Sequence, residues 1–176
     1  MNSVSKYAIL ISICVFILVI FFVGIKQDTY EMREESGLLI AADVAQLKGI
    51  FERIHKTCRI LSFDYQKNPI NFLNVVAFKS SEVGPMNLVY PKKWEGPYLN
   101  DNPAVQGIEY QIVHTNDGYF ITPGEGVVLP SGKQIGKDVM LDKDADIGAM
   151  LTDPTIFLLE DRDLAGSLQL AAELKI

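Results

Sequence analysis

Hydrophobic and polar positions fall into three regimes along the chain. From Tyr7 to Ile25, nineteen residues pass without a charge between Lys6 and Lys26. A helix of that length covers about 28 Å, close to the hydrocarbon thickness of a bilayer, so the pattern predicts a membrane span over 7–25. A cleaved secretory signal is the competing reading, but the apolar run is long for one and no small-residue cleavage site follows it. The span is therefore read as an uncleaved anchor. The short amino end and the acidic residues Asp28, Glu31, Glu34 and Glu35 beyond the span favour a cytoplasmic N-terminus.

The second regime is periodic. Leu39, Val44, Leu47, Ile50, Phe51, Ile54, Cys58 and Leu61 recur at spacings of three, four or their sums, with charges filling much of the remainder. This predicts an amphipathic helix that buries one stripe. Gly24 and Gly37 are the only weak points between it and the apolar segment, so a single helix from about Tyr7 to about Asp64 is expected.

The third regime alternates. After a Pro- and Gly-rich middle, with a short helix expected around 70–79, Ile108, Tyr110 and Ile112 alternate with Glu109 and Gln111. Thr115-Asn116-Asp117-Gly118 then separates that strand from Tyr119-Phe120-Ile121-Thr122. This is a hairpin signal, Asn and Gly being suited to positive φ at the turn. Further turns at 123–126 and 130–133 predict strands at 127–129 and near 138–141, and so an antiparallel meander. Asp153 before Pro154 reads as a helix start, and Asp163 as the cap of a last helix carrying Leu164, Leu168, Ala171, Ala172 and Leu174. The predicted fold class is α+β: a long N-terminal helix, membrane span continuing into amphipathic spine, packed on a small antiparallel sheet with C-terminal helices. The predicted divisions are 1–6, a cytoplasmic N-terminus; 7–25, the span; 26–64, stalk and spine; and 65–176, an extracytoplasmic domain.

Composition narrows the function. The net charge is −6, and all 22 Asp and Glu follow the apolar segment. With no basic cluster in the sequence, nucleic acid is excluded as the main partner, since phosphate binding needs convergent Lys and Arg. Cys14 lies in the expected span and Cys58 on the apolar face of the spine, so the two cannot pair within one molecule. Cys58 reads as a small buried hydrophobe. Asp142, Asp144 and Asp146 put three carboxylates at alternate positions, oxygen ligands of the kind calcium takes. Ile147 stands where a calcium loop needs Gly, however, and Asp153 where it needs Glu. A solvated acidic turn is the first reading there and calcium the second; no other cofactor is expected.

Enzyme signatures are missing. Gly126 to Lys133 has P-loop glycines one residue too far apart and no hydroxyl residue after the Lys. There is no Gly-x-Ser-x-Gly, His-Glu-x-x-His or Cys-x-x-Cys, and neither His55 nor His114 has a local base or nucleophile. The chain is read as a non-enzyme.

Lys93-Trp94-Glu95-Gly96-Pro97-Tyr98-Leu99 resembles the Trp-x-Gly-Pro-Tyr-Leu segment before the sheet of the major pseudopilins of type II secretion, and residues 38–125 follow that family's pattern. Independently of any family, Gly96 and Pro97 suit a tight turn, and Trp94 and Tyr98 can clamp a loop onto the sheet. The resemblance implies a pilin-like fold and a periplasmic domain on a single-pass inner-membrane anchor. It also implies partners in the lipid bilayer and among pilin-like or protein-secretion subunits. Ser5-Lys6-Tyr7-Ala8-Ile9-Leu10-Ile11-Ser12 lacks the family's leader Gly and its Glu at the fifth mature position. That departure argues against ordinary processing and Glu-directed polymerisation, and for a permanent anchor. The expected function is a structural or interaction component of a secretion or pilus-like envelope system. A solitary anchored periplasmic domain binding a protein or small ligand is the second reading, and a membrane-anchored enzyme the third.

Overall fold

The computed structural model describes the backbone of residues 3–77 and 82–170, and the side chains of 12–22, 32–77 and 84–170. Helix α1 runs from Ser3 to Cys58. No proline occurs before Pro69, so nothing removes a backbone donor from its ladder. Ile40, Val44, Leu47, Phe51, Ile54 and Cys58 are all within 3% of complete burial. They recur at alternating steps of four and three, which returns each to the same side of the helix. Leu39 and Leu61, counted into the stripe by spacing, stand out of it at 57% and 61% exposure. Ile40 occupies the place expected for Leu39, one residue further round the helix. The helix also stops at Cys58, short of Asp64. Arg59 turns the backbone to φ 56°, its amide donates to the His55 carbonyl, and the amides of Tyr90 and Val89 donate to the carbonyls of Cys58 and Arg59. Those outside donors satisfy carbonyls that the helix leaves free, and the next residues enter a sheet.

The expected membrane span is corrected. Among the described residues no helix is long and apolar enough to cross a membrane. Residues 7–11 and 23–25 of the expected span lie outside the described side chains. The transmembrane, single-pass and inner-membrane expectations, and the periplasmic placement that depended on them, therefore do not stand.

Two antiparallel sheets flank the helix. The smaller takes β1 (Ile60–Phe63), β3 (Glu82–Val83) and β4 (Met86–Leu88) in the order β1-β4-β3. The larger is built on β6 (Ile108–Thr115) and β7 (Gly118–Pro123), joined by Asn116-Asp117 in register from Thr115 opposite Gly118 to Tyr110 opposite Pro123. Gly118 takes the positive φ, 129°, and Asn116 does not. β2 (Lys67–Pro69) pairs with the outer side of β6, β5 (Ala104–Val105) joins its start, and β10 (Gly166–Leu168) pairs with β7. Tyr110 and Ile112, with Ile121 across the hairpin, share one face of this sheet. Gln111, Val113, Phe120 and Thr122 share the other, and all are buried. The hairpin is thus covered on both sides.

Several expected elements are replaced. Residues 70–77 form no helix; Ile70, Phe72 and Leu73 are instead buried in a loop. Residues 78 and 79 of that expected helix lie outside the described residues. The strands expected at 127–129 and 138–141 reduce to single bridges, Val128 to Gln134 and Ile135 to Val139, although Val127, Leu129, Ile135, Val139 and Leu141 are all buried. Apolar spacing here reports burial rather than a ladder. The C-terminal helices are absent from the described residues. Asp153 accepts from the amide and hydroxyl of Thr155, 2.7 Å each, in a turn, and those bonds hold its carboxyl below the usual range. Leu158–Leu159 (β8) and Arg162–Asp163 (β9) form a small hairpin, and Leu164 enters the core from a bend and Leu168 from β10. The only α-helix after α1 among the described residues is α2, Ile147–Met150, capped by Asp146 accepting from the Ala149 amide at 2.8 Å. Ala171, Ala172 and Leu174 lie outside the described residues.

Candidate functional site

Trp94, Gly96, Pro97, Tyr98 and Leu99 form a clamp beside the C-terminal end of α1. The chain enters through a 3-10 turn at Pro91–Lys93. The Trp94 indole nitrogen donates to the Val75 carbonyl at 3.0 Å, and the amides of Tyr98 and Leu99 both donate to the Leu73 carbonyl, at 2.8 and 3.3 Å. The two rings meet edge to face, centroids 4.8 Å apart at 80°, a favoured aromatic geometry. Gly96 is required by space: a Cβ there would collide with the Val75 carbonyl and the indole that bonds it. The Gly96–Pro97 peptide is cis. Burial raises the pKa of the Tyr98 phenol. The motif pins the 70–77 loop to the domain, and its chemistry is structural.

Against this clamp lies a groove of about 480 Å³, lined by Lys56 and Thr57 of α1 and by Lys92, Lys93, Trp94 and Glu95. Three lysines and one glutamate are among its lining residues. Lys93 also sits over the Tyr90 ring, 4.6 Å from its centroid. The sequence shows the Lys92-Lys93-Trp94 run, but Lys56 comes from a distant segment, so no local pattern revealed the cluster.

A second groove, of about 440 Å³, runs beside α1 between Leu38, Ala41 and Ala42 and the strand residues Gly166 and Ser167. Small side chains on the helix keep it open. Gly166 lets β10 approach α1: a Cβ at that position would meet Val44 at 3.1 Å. Nearby, the Tyr110 hydroxyl donates to Asp43 of α1 at 2.8 Å. Burial first, and the Asp43 carboxylate second, raise the Tyr110 pKa far above the ordinary phenol value.

The three expected calcium ligands are set to different tasks. Asp142 accepts from the Asp144 amide at 3.1 Å, Asp144 accepts from the Asn116 side chain at 2.8 Å, and Asp146 caps α2. Among the described residues no group of three His, Cys, Asp or Glu side chains is placed to hold a metal. The acidic run fastens the loop to the tip of the β6–β7 hairpin. His55 is half-buried, its pKa lowered by burial and by Arg59. His114 stacks on Tyr119, centroids 4.3 Å apart at 15°. Cys58 is buried and Cys14 exposed.

The site defines the protein as an α+β domain built round one helix, with surface grooves at that helix. No protein-family model, curated protein or solved structure matches the chain. The pseudopilin resemblance rests on the sequence pattern of 38–125 and its 93–99 motif, and the pilin-like and type II secretion assignments drawn from it are not supported.

Proposed function

We propose that the protein is a structural or interaction component that assembles through the apolar part of α1. One observation carries this reading. Ile13, Val15, Phe16, Ile17, Leu18, Val19, Ile20, Phe21 and Phe22 are each 53–66% exposed, whereas the far end of the same helix is the axis of the core. Leaving a large apolar side chain in water forgoes about 1.5–3 kcal/mol, and a contiguous bare patch marks an interaction surface. This stretch is apolar all the way round, so one groove on one partner would cover only part of it. Several like helices packed side by side cover it fully, which suits a subunit of an assembly.

Cys14 supplies a built-in test. Oxidation of full-length protein in intact cells is expected to give a disulfide-linked dimer that is lost in Cys14→Ser. Phe16→Cys in the Cys14→Ser background, about 200° further round the helix, is expected to cross-link as well. Chains that stay monomeric from both positions would overturn the reading. They would favour a solitary domain that binds a protein or small ligand, for which the 440 Å³ groove beside α1 is the available surface.

A further inference from the structure

The groove of Lys56, Lys92 and Lys93 has a counterpart elsewhere on the same chain. The β8–β9 hairpin turns through Glu160 and Asp161, both exposed, so the tip presents two adjacent carboxylates to solvent. Among the described residues the one ion pair is Lys67 with Glu125. Neither the three lysines nor the two tip carboxylates form an ion pair among the described residues. In a chain of net charge −6, a groove lined by three lysines against one carboxylate favours an acidic occupant.

The tip and the groove of one molecule cannot meet. Leu159, at the base of the hairpin, packs where a Cβ on Gly37 would lie, while the groove begins at Lys56. Both anchor points are on α1, and nineteen residues of helix separate them by about 28 Å. That is well beyond the range over which salt leaves exposed charges coupled, about 8 Å at physiological ionic strength. The complementary features face opposite ends of the domain, so their contact has to be made between molecules.

We infer that the acidic Glu160-Asp161 tip of one copy docks in the Lys56, Lys92, Lys93 groove of the next, joining copies head to tail. Such a contact uses two different surfaces, so it repeats along an open chain unless the rotation closes a ring. The fit does not require the backbone to move: the tip is held by the β8–β9 pairing and the Leu159 contact, and the groove floor by the Trp94 clamp. Lys92 and Lys56 supply the free charges, Lys93 being shared with Tyr90. Docking of this kind is salt-sensitive and governs register and orientation more than strength. It rests on the proposed assembly of copies, and it joins each copy to a neighbour other than the one its Cys14 meets.

Paired cysteines test the head-to-tail geometry in full-length chains carrying Cys14→Ser, in intact cells, with a short bismaleimide cross-linker. Lys92→Cys with Glu160→Cys in one chain is expected to give a ladder of covalent multimers. Lys92→Cys alone and Glu160→Cys alone should stay monomeric, and co-expression of the two single variants should stop at a dimer. A dimer from either single variant, or no ladder from the double, would overturn the proposal. A charge test runs beside it, with cysteines at Thr57 and Asp163 reporting proximity. Lys92→Glu with Lys93→Glu is expected to lower the cross-linked yield at least about fivefold, and Glu160→Lys with Asp161→Lys in the same chain to restore it. Yields unaffected by charge reversal would also overturn it. Loss of this cross-link with the Cys14 dimer intact refutes the tip-to-groove contact only. Loss of the Cys14 dimer refutes the helix assembly.

Discussion

The phenol of Tyr110 lies wholly inside the core and donates its proton to Asp43 on the spine helix. A hydrogen bond to a carboxylate is worth about 1.5–3 kcal/mol, so Tyr110→Phe is expected to lose that amount in urea unfolding near pH 7. The pH dependence follows from the raised pKa. The folded chain holds this proton more tightly than the unfolded chain does. The stabilisation is therefore complete below the ordinary phenol pKa of about 10 and is lost as pH rises above it, at up to about 1.4 kcal/mol per pH unit. Tyr110→Phe removes this contribution to the slope, which unfolding curves between pH 9 and 11 measure. The bond was not legible in the sequence: alternation marks Tyr110 as inward-facing, but Asp43 reads there as one of the charges on the helix's outer face. Trp94 and Gly96 are the opposite case. The sequence suits Trp94 to clamping a loop, and the structure bonds its indole to the Val75 carbonyl, which lies where a Cβ on Gly96 would be.

At the scale of elements, the spine helix and the β6–β7 hairpin organise the domain. Phe51 touches Phe63 and Phe72 edge to face, with centroids 6.3 and 6.2 Å away, so the helix binds β1 and the 70–77 loop through one ring. Phe51→Ala is expected to cost about 3–5 kcal/mol, whereas Leu39→Ala, on the exposed side, should change stability by less than about 0.5 kcal/mol. Thermal unfolding of the two variants checks both values, and a large loss at Leu39 would show that the helix is seated differently. The hairpin was readable because Asn116-Asp117-Gly118 interrupts a strict alternation. The C-terminal strand was not, because Leu164, Leu168 and Ala165 satisfy helical spacing equally well. Pairing of Gly166–Leu168 with β7 decides the matter, and local spacing carries no information about a partner more than forty residues away.

For the whole molecule, one helix serves two environments. Its later part is enclosed by both sheets, while residues 12–22 stay bare. A chain beginning at residue 32 keeps every buried position of α1 among the described residues, so it is expected to fold with a near-native midpoint of thermal unfolding and to lose the association attributed to the apolar segment. A chain beginning at residue 46 lacks Ile40, Ala41 and Val44, and with them Asp43, the partner of Tyr110. It is expected not to fold cooperatively. Circular dichroism and sedimentation of the two truncations measure these outcomes. A shorter chain that folds as well as the longer one would show that the helix is not the axis of the core.

Sequence by itself determined the features that depend on near neighbours: the periodic stripe of the spine from Val44 to Cys58 and the β6–β7 hairpin. Each follows from side-chain spacing or backbone sterics within a few residues. Tertiary structure alone decided what depends on distant segments. It seated the carboxylates of Asp142, Asp144 and Asp146 in turns and caps, made the C-terminal segment a strand, and gathered Lys56 with Lys92 and Lys93 into one groove. Those outcomes turn on pairing and burial between parts of the chain far apart in sequence, and periodicity does not record which parts meet.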